Sequence, residues 1–180
     1  MHSSSDHRAI ILVGFMGAGK TSVGRELAAR LGWRFADLDE QIEQREGRKI
    51  ADLFRQSGEP AFRLAETAAL RELLCQTGNS PGVIAALGGG AFAQAANIEL
   101  VRQSRYPSVF LDAPVAELHR RCAAEGATRP LFQDENQFRQ LYEQRRAAYM
   151  KADFRVDTAG KTVAQVAAEV GALLELDIPR

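Results

Sequence analysis

Short apolar segments alternate with longer segments of helical periodicity along the chain. Five short segments predict β-strands, at residues 9–13, 34–37, 83–87, 108–112 and 154–156. The first and third are continuous apolar runs, which is typical of strands buried on both faces of a parallel sheet. Because parallel neighbours are joined by crossover helices, this alternation predicts a three-layer α/β fold.

The segments between the strands carry apolar residues spaced three and four apart. They predict helices at residues 20–31, 38–76, from about 97, 114–124, 137–150 and 163–176, with interruptions of the second at Gly47 and at residues 58–60. Residues 125–135 lack such periodicity and predict a loop. Since no repeat or linker divides the sequence, we predict one domain over residues 1–180.

Composition and charge exclude several classes of function. Hydrophobic residues make up 46% of the sequence and charged residues 26%, as in ordinary globular proteins. Lys and Arg together number 23, as do Asp and Glu, so the formal net charge is zero. There is no overall basic excess to bind a nucleic acid or an anionic membrane, so an anion must bind in a local pocket.

Cysteine usage and the length of the apolar runs bear on the compartment. Cys75 and Cys122 lie in helical patterns without CxxC spacing, so we expect two free thiols in the core; the alternative is a buried disulfide between them. No apolar run approaches the ~20 residues of a membrane span, and the first run is too short for a signal-peptide core. We therefore expect a cytoplasmic protein without membrane contact, and take a monomer as the default.

A phosphate-binding motif follows the first strand. Residues 14–21 match G-x-x-x-x-G-K-[ST] in full, between a buried strand and an amphipathic helix. The glycines let consecutive backbone N–H groups point at one phosphate, and the helix adds the positive end of its dipole. Lys20 is expected to reach the β- and γ-phosphates, and the Thr21 hydroxyl to bind Mg²⁺. The residues predicted to bind ATP here are Met16, Gly17, Ala18, Gly19, Lys20 and Thr21.

Two aspartates follow the second strand. Asp37 and Asp39 lie beyond the carboxyl end of that strand, where ligands bind in open parallel sheets. One carboxylate could orient Mg²⁺ through water, and the other could hold an acceptor hydroxyl and take its proton. The alternative is that Asp39 only caps the next helix and Asp37 is solvated.

Arginines on two predicted helices indicate an acidic acceptor. Arg63 lies at a helix start, and Arg145 and Arg146 lie on a later helix. A planar guanidinium matches a carboxylate with two parallel hydrogen bonds, so two such groups would select an anionic substrate. Each arginine taken singly could also belong to a solvated face.

Two further segments favour ligand binding. The triple glycine at residues 88–90 ends a buried strand, and such a run lets a ligand approach the backbone closely; the alternative is a flexible strand exit. Arg129 lies in the loop at residues 125–135. There it could close over ATP, neutralise the phosphoryl group and exclude water, or be an unremarkable exposed arginine.

Together and in this order, these motifs resemble the shikimate kinase family. The similarity extends from Ile10 to about Leu174. It is carried by residues 14–21, Asp37-Leu38-Asp39, Gly58-Glu59 with Phe62-Arg63 and Glu66, residues 87–91, Arg129-Pro130-Leu131, and Arg145 with Tyr149. The resemblance implies a P-loop kinase of the nucleoside-monophosphate-kinase type. It further implies five parallel strands in the order 2-3-1-4-5, a shikimate-binding helical region at 38–66 and a short lid at 125–136.

The resemblance also implies roles for individual residues. Shikimate would be held by Asp39, Arg63, Gly89 and Arg145, with both arginines on its carboxylate. Arg129 would be the lid residue, Arg121 and Lys161 would flank the adenine, and Mg²⁺ would be held by Thr21 directly and by Asp37 through water. The reaction would pass the γ-phosphate of ATP to the 3-hydroxyl of shikimate, with Asp39, Lys20 and Arg129 as the catalytic set.

Two departures from the family pattern concern local geometry. Pro60-Ala61 stands where the family often has a more acidic or polar pair, which affects the helix around Arg63. The segment before Arg129 is slightly longer than in some relatives, so the adenine contact could be Arg120 rather than Arg121.

Two other functions remain open at this point. A gluconate-type or nucleoside-monophosphate kinase shares the phosphate motif, although paired arginines disfavour a nucleotide acceptor. A regulatory nucleotide switch would need a guanine-specifying Asn-Lys-x-Asp run, which the sequence lacks.

Overall fold

A five-stranded parallel sheet forms the centre of the molecule. The computed structural model describes residues 9–76, 82–124 and 134–176. Its strands are β1 Ala9–Val13, β2 Arg34–Asp37, β3 Val83–Ala86, β4 Ser108–Asp112 and β5 Phe154–Asp157. They pair in the order β2-β3-β1-β4-β5, and every pairing is parallel. The predicted strand order is therefore confirmed.

The strand register brings the functional segments to one edge of this sheet. Asp37 at the end of β2 pairs with Ala86 at the end of β3, and Leu12 of β1 also pairs with Ala86. Val13, the last residue of β1, pairs with Phe110 of β4. The segments that follow β1, β2, β3 and β4 therefore all leave the sheet at the same edge.

Within the described ranges, seven α-helices cover the sheet. They are α1 Lys20–Leu31, α2 Leu38–Glu46, α3 Ile50–Cys75, α4 Ala95–Ser104, α5 Val115–Ala124, α6 Glu135–Tyr149 and α7 Val163–Leu173. The connection from β1 to β2 crosses the sheet in one direction, and all later connections cross it in the other. Because such connections are right-handed, α1 lies on one face of the sheet and α2 to α6 lie on the other. Contacts between α1 and α7, and between α3 and α4, agree with these layers. The predicted three-layer α/β fold is confirmed.

The predicted helix interruptions correspond to a cap and a kink. Gly47 follows α2 with φ 64°, a left-handed conformation suited to glycine. Gly58 has φ 77° inside α3 and divides it into two helical segments. Pro60 then lies in the first turn of the second segment, where its missing N–H leaves no helical bond unmade. Arg63 thus projects from the start of a helical segment, as predicted.

Several strand and helix boundaries differ from the predicted ones. Leu87 lies beyond β3, although its N–H still donates to Leu12 O at 3.0 Å. The fourth helix begins at Ala95, two residues before the predicted start, and the last ends at Leu173, before Glu175 with φ 53°. The Asp134 carboxylate caps the N–H groups of residues 136 and 137, so α6 begins at Glu135 and the predicted loop was too long.

The two cysteines differ in environment. Both are free thiols, and Cys122 is buried, but Cys75 is exposed, so the expectation of a second core thiol was wrong. Cys75 lies two residues after the buried Leu73 of α3. Two residues correspond to about 200° of helix rotation, which turns the thiol away from the core. None of the helices in the described ranges is both long and apolar enough to span a membrane.

Candidate active site

The phosphate loop, residues 14–19, is pressed against neighbouring backbone. Gly14 has φ 148° and Gly17 has φ 78°. A Cβ on Gly14 would lie 2.6 Å from the carbonyl oxygen of Leu111 in β4, and one on Gly17 would lie 2.7 Å from that of Leu118 in α5. Glycine is thus required at both positions by conformation and by space. The loop leads into α1, whose first residue is Lys20.

The Lys20 side chain lies inside this loop. Its Nζ donates to the carbonyl oxygens of Gly14 and Phe15, each at 2.9 Å. Burial lowers the pKa of Lys20 to about 8, although the nearby carboxylates of Asp39 and Asp37 raise it in part. The amine is therefore positioned by the loop that would hold the phosphates.

Thr21 and Asp37 form a pair of oxygen ligands beside Lys20. The Thr21 hydroxyl donates to Asp37 Oδ2 at 3.0 Å, and Asp37 Oδ1 accepts the backbone N–H of Asp39 at 3.0 Å. Asp37 therefore caps α2, the role that the sequence alternative gave to Asp39. A hydroxyl and a carboxylate are hard oxygen ligands of the kind that Mg²⁺ prefers, so this pair fits the predicted metal.

The Asp39 carboxylate lies against the triple glycine. A Cβ on Gly88 would lie 2.4 Å from Asp39 Oδ1. A side chain at residue 88 would therefore displace the carboxylate. The close approach that the glycine run predicted is made, within the protein itself, by Asp39.

The same glycine run meets both predicted acceptor arginines. A Cβ on Gly90 would lie 2.8 Å from Arg63 Nη1. The carbonyl oxygen of Gly89 accepts a hydrogen bond from Arg145 Nη1 at 3.2 Å and another from the Tyr149 hydroxyl. Side chains of three helices, α2, α3 and α6, thus converge on three consecutive glycines.

Glu66 holds Arg63 in place and was not predicted as a site residue. Arg63 Nη1 donates to both Glu66 oxygens, at 3.0 and 3.2 Å, and Arg63 Nη2 donates to Glu59 at 3.0 Å. The Glu66 side chain is only 1% exposed, and burial raises the pKa of its carboxyl, while Arg63 opposes the shift. The spacing of three residues on one helix was the available signal.

A cleft of about 780 Å³ joins these groups. Its lining comprises Met16, Asp39, Glu40, Glu43, Lys49, Ile50, Ala51, Phe54, Phe62, Arg63, Glu66, Gly88, Gly89, Gly90 and Arg145. The rings of Phe54 and Phe62 lie 4.5 Å apart and form part of an apolar wall. Besides the apolar wall, the lining holds two guanidinium groups, the Lys49 ammonium and four carboxylates. Two guanidinium groups beside an apolar wall suit a small molecule that carries an anionic group.

Arg146, the neighbour of Arg145, belongs to a different cluster. Its Nε donates to the Tyr142 hydroxyl at 3.3 Å, and its Nη2 lies 3.6 Å from Asp112 Oδ2. Asp112 is buried at the end of β4 and also accepts from Tyr142 and Arg155. Of the two adjacent arginines, the structure brings Arg145 to the glycine run and Arg146 to this cluster.

The residues predicted to contact the adenine, Arg121 and Lys161, bond to different partners. Arg121 donates to the carbonyl oxygens of Thr158 at 2.9 Å and Gly17 at 3.4 Å. Arg120 is 73% exposed, and its guanidinium lies 3.8 Å from Glu117. Lys161 Nζ donates to Glu169 of α7 at 2.6 Å. Arg121 rather than Arg120 therefore adjoins the phosphate loop, and Arg129 lies outside the described residues.

The comparisons with known proteins agree with this geometry. The family model for shikimate kinase matches residues 16–175. The chain belongs to the shikimate kinase family. A shikimate kinase of Persephonella marina is 36% identical over 163 residues, which cover 91% of this chain and 96% of that one. A shikimate kinase of Geobacter metallireducens is 40% identical over 174 residues, covering 95% and 94%.

A solved member of the shikimate kinase family has the same fold. The structure of the shikimate kinase from Acinetobacter baumannii in complex with shikimate superposes with a TM-score of 0.83. It is 36% identical and covers 94% of each chain. The family assignment decides against the gluconate-type kinase and the nucleotide switch that the sequence left open, and the family predicted from the motifs is confirmed.

Proposed function

We propose that this protein transfers the γ-phosphate of ATP to the 3-hydroxyl of shikimate, giving shikimate 3-phosphate and ADP in the biosynthesis of aromatic amino acids. One observation carries the proposal beyond family membership. Asp39, Arg63 and Arg145 converge on residues 88–90 in the cleft that Met16 of the phosphate loop also lines. An acidic acceptor and the phosphates of ATP would therefore meet in one cleft.

ATP would bind on the phosphate loop through Met16, Gly17, Ala18, Gly19, Lys20 and Thr21. Backbone N–H groups at the start of α1 would surround the β-phosphate, and the Lys20 ammonium would neutralise the β- and γ-phosphates. Arg121 and Lys161 would flank the adenine. Support for Arg121 comes from its contacts with Gly17 and Thr158 at the rim of the loop.

Mg²⁺ would be held by the Thr21 hydroxyl directly and by Asp37 through water. When bound, Mg²⁺ offsets the charge that develops on the transferring phosphoryl group. The hydrogen bond between Thr21 and Asp37, at 3.0 Å, already holds the hydroxyl and the carboxylate together.

The acceptor would be oriented by its carboxylate and by its reacting hydroxyl. Arg63 and Arg145 would bind the carboxylate with parallel hydrogen bonds, and Gly89 would contact the substrate through its backbone. Asp39 would accept a hydrogen bond from the 3-hydroxyl and would take its proton. Since phosphoryl transfer requires little covalent participation by the protein, this alignment and the charges of Lys20 and Arg129 would supply most of the catalysis.

The setting of this reaction is also a proposal. We infer a cytoplasmic monomer that acts on two small molecules, ATP and shikimate, without a nucleic acid or a membrane. The zero net charge and the two free thiols support this setting.

An acceptor-dependent assay tests the proposal. ADP release from MgATP is measured with no acceptor and with shikimate, gluconate and other small hydroxy acids in turn. We expect release to depend on shikimate, with the phosphate on its 3-hydroxyl. Release that is equal without an acceptor, or fastest with gluconate, would overturn the proposal.

A further inference from the structure

The Arg121 guanidinium joins three separate elements at the rim of the phosphate loop. Its Nη1 donates to Thr158 Oγ1 at 3.0 Å and to Gly17 O at 3.4 Å. Its Nη2 donates to Glu117 Oε1 at 2.5 Å and to Thr158 O at 2.9 Å. One side chain therefore ties α5, the phosphate loop and the turn after β5 together.

These contacts lie around the edge of the guanidinium, and the Arg121 side chain remains 22% exposed. Each terminal nitrogen of an arginine carries two N–H groups, and each terminal nitrogen of Arg121 meets two acceptors. The plane of the group is therefore fixed by three partners around its edge. A fixed guanidinium plane stacks well on a flat aromatic ring, and base stacking of this kind tolerates different bases.

We propose that Glu117 is a positioning residue of the nucleotide site, which with Thr158 fixes the plane of Arg121 so that its face receives the base of ATP. This inference rests on the proposed function, in which Arg121 adjoins the adenine. Among the described contacts, Glu117 is the only partner of Arg121 that carries a charge. A hydrogen bond between a guanidinium and a carboxylate is stronger than one to a neutral oxygen, so Glu117 is the partner that limits the rotation of the guanidinium most.

The chain offers two matched controls for this role. Glu26 and Arg30 form an ion pair at 2.7 Å with the same spacing of four residues, but on α1 and between partly exposed side chains. Arg120 shares Glu117 with Arg121, at 3.8 Å, yet is largely exposed. The variants Glu26→Gln and Arg120→Ala each change a helical Glu–Arg pair and leave the described contacts of Arg121 intact.

The experiment measures calorimetric binding of two ligands, MgADP and magnesium tripolyphosphate, which lacks a base. The proteins are wild type, Glu117→Gln, Arg121→Ala, Glu26→Gln and Arg120→Ala. We expect Glu117→Gln to weaken MgADP by about three- to tenfold and Arg121→Ala to weaken it at least as much. In Glu117→Gln, tripolyphosphate binding and the KM for shikimate should stay at wild-type values, and both controls should match wild type for both ligands.

The outcomes separate this inference from the proposed function. If Arg121→Ala weakens MgADP and Glu117→Gln does not, the positioning role of Glu117 is wrong while the adenine contact stands. If neither variant weakens MgADP, Arg121 does not contact the base and the inference fails with that assignment. If Glu117→Gln weakens both ligands equally, Glu117 acts on the phosphate loop and not on the base, which also overturns the inference.

Discussion

The proposed active site has two ends, the acceptor end at Arg63 and Arg145 and the nucleotide end at the phosphate loop, and they are built differently. At the acceptor end, charged side chains are fixed by partners in the protein: Arg63 by the buried Glu66, and Arg145 by the carbonyl of Gly89. At the nucleotide end the phosphate loop offers backbone N–H groups, and Lys20 rests on carbonyls of its own loop. The proposed acceptor site therefore depends on a few side chains, while the proposed ATP site is spread over a loop whose shape depends on glycines. Substitutions at the acceptor end should weaken the binding of the acceptor and leave the binding of the nucleotide unchanged.

The largest effect is expected where both ends meet, at Lys20. We expect Lys20→Ala to reduce transfer by about a thousandfold or more, because the γ-phosphate loses its neutralising ammonium. The measurement is the rate of shikimate-dependent ADP release. The variant should remain folded, because the amine bonds the loop and not the core. Turnover at the wild-type rate would remove Lys20 from the mechanism.

A second prediction separates the two aspartates. Asp39→Asn should lower kcat by about a hundredfold or more, because the acceptor hydroxyl loses its carboxylate partner. Asp37→Asn should act largely through the metal, so raising the Mg²⁺ concentration should restore part of the activity. Rates are measured across a Mg²⁺ titration for both variants. Metal rescue of Asp39→Asn but not of Asp37→Asn would reverse the two roles.

A third prediction concerns the two arginines at the acceptor end. Arg63→Ala or Arg145→Ala should weaken shikimate by at least about tenfold, since a charge-assisted pair contributes roughly 1.5–3 kcal/mol. Lysine should rescue poorly, because a point charge cannot make two parallel hydrogen bonds. Calorimetric titration of shikimate and of MgADP into each variant tests this. Arg146→Ala is the matched control, because that side chain bonds Tyr142 and not the glycine run. Wild-type affinity for shikimate in both variants would remove the main physical support for this acceptor.

The smallest effect is a pH dependence at the nucleotide end. The pKa of Lys20 is about 8 in the ligand-free protein, below its ordinary value of 10.5. Bound phosphates should raise this pKa again, so above pH 8 binding must take up a proton. MgADP affinity should therefore fall by about fivefold between pH 7 and pH 8.7. Titrations in buffers of different ionisation enthalpy measure the proton uptake, and Lys20→Ala should lack it.

The same pKa has a consequence for stability, with a defined sign. Because the folded-state pKa lies below the unfolded-state value, the unfolded chain binds more protons between pH 8 and pH 10.5. The contribution of Lys20 to the free energy of unfolding therefore rises with pH across this window. Denaturant unfolding of wild type and Lys20→Ala at pH 7.5 and pH 9.5 measures this contribution. The free energy of unfolding of wild type should rise relative to that of the variant between the two pH values.

Local features of the chain were predictable because they depend on neighbours in sequence. The apolar run Ala9–Val13, the motif at residues 14–21 and the glycines at 47 and 58 fix backbone conformation within a few residues. The family was predicted from the succession of motifs along the chain, and the strand order was what the resemblance to that family implied. The functional roles of the site residues stay predictions, and Arg129 lies outside the described residues.

Side-chain partners required the tertiary structure. Arg145 and Arg146 are adjacent, but consecutive residues on a helix point about 100° apart, so only the packing of α6 decides which one reaches Gly89. The same reasoning applies to Arg120 and Arg121 on α5.

The order of residues along the chain was enough to predict the phosphate loop, the alternation of strands and helices, and the residue types available at the sheet edge. Which of those residues meet, such as Glu66 with Arg63 and Glu117 with Arg121 beside the phosphate loop, became clear only from the packed fold. The two kinds of feature depend on interactions of different range. Backbone preferences act over a few residues, whereas the rotation of a helix and the burial of a carboxylate are set by packing between elements distant in the chain.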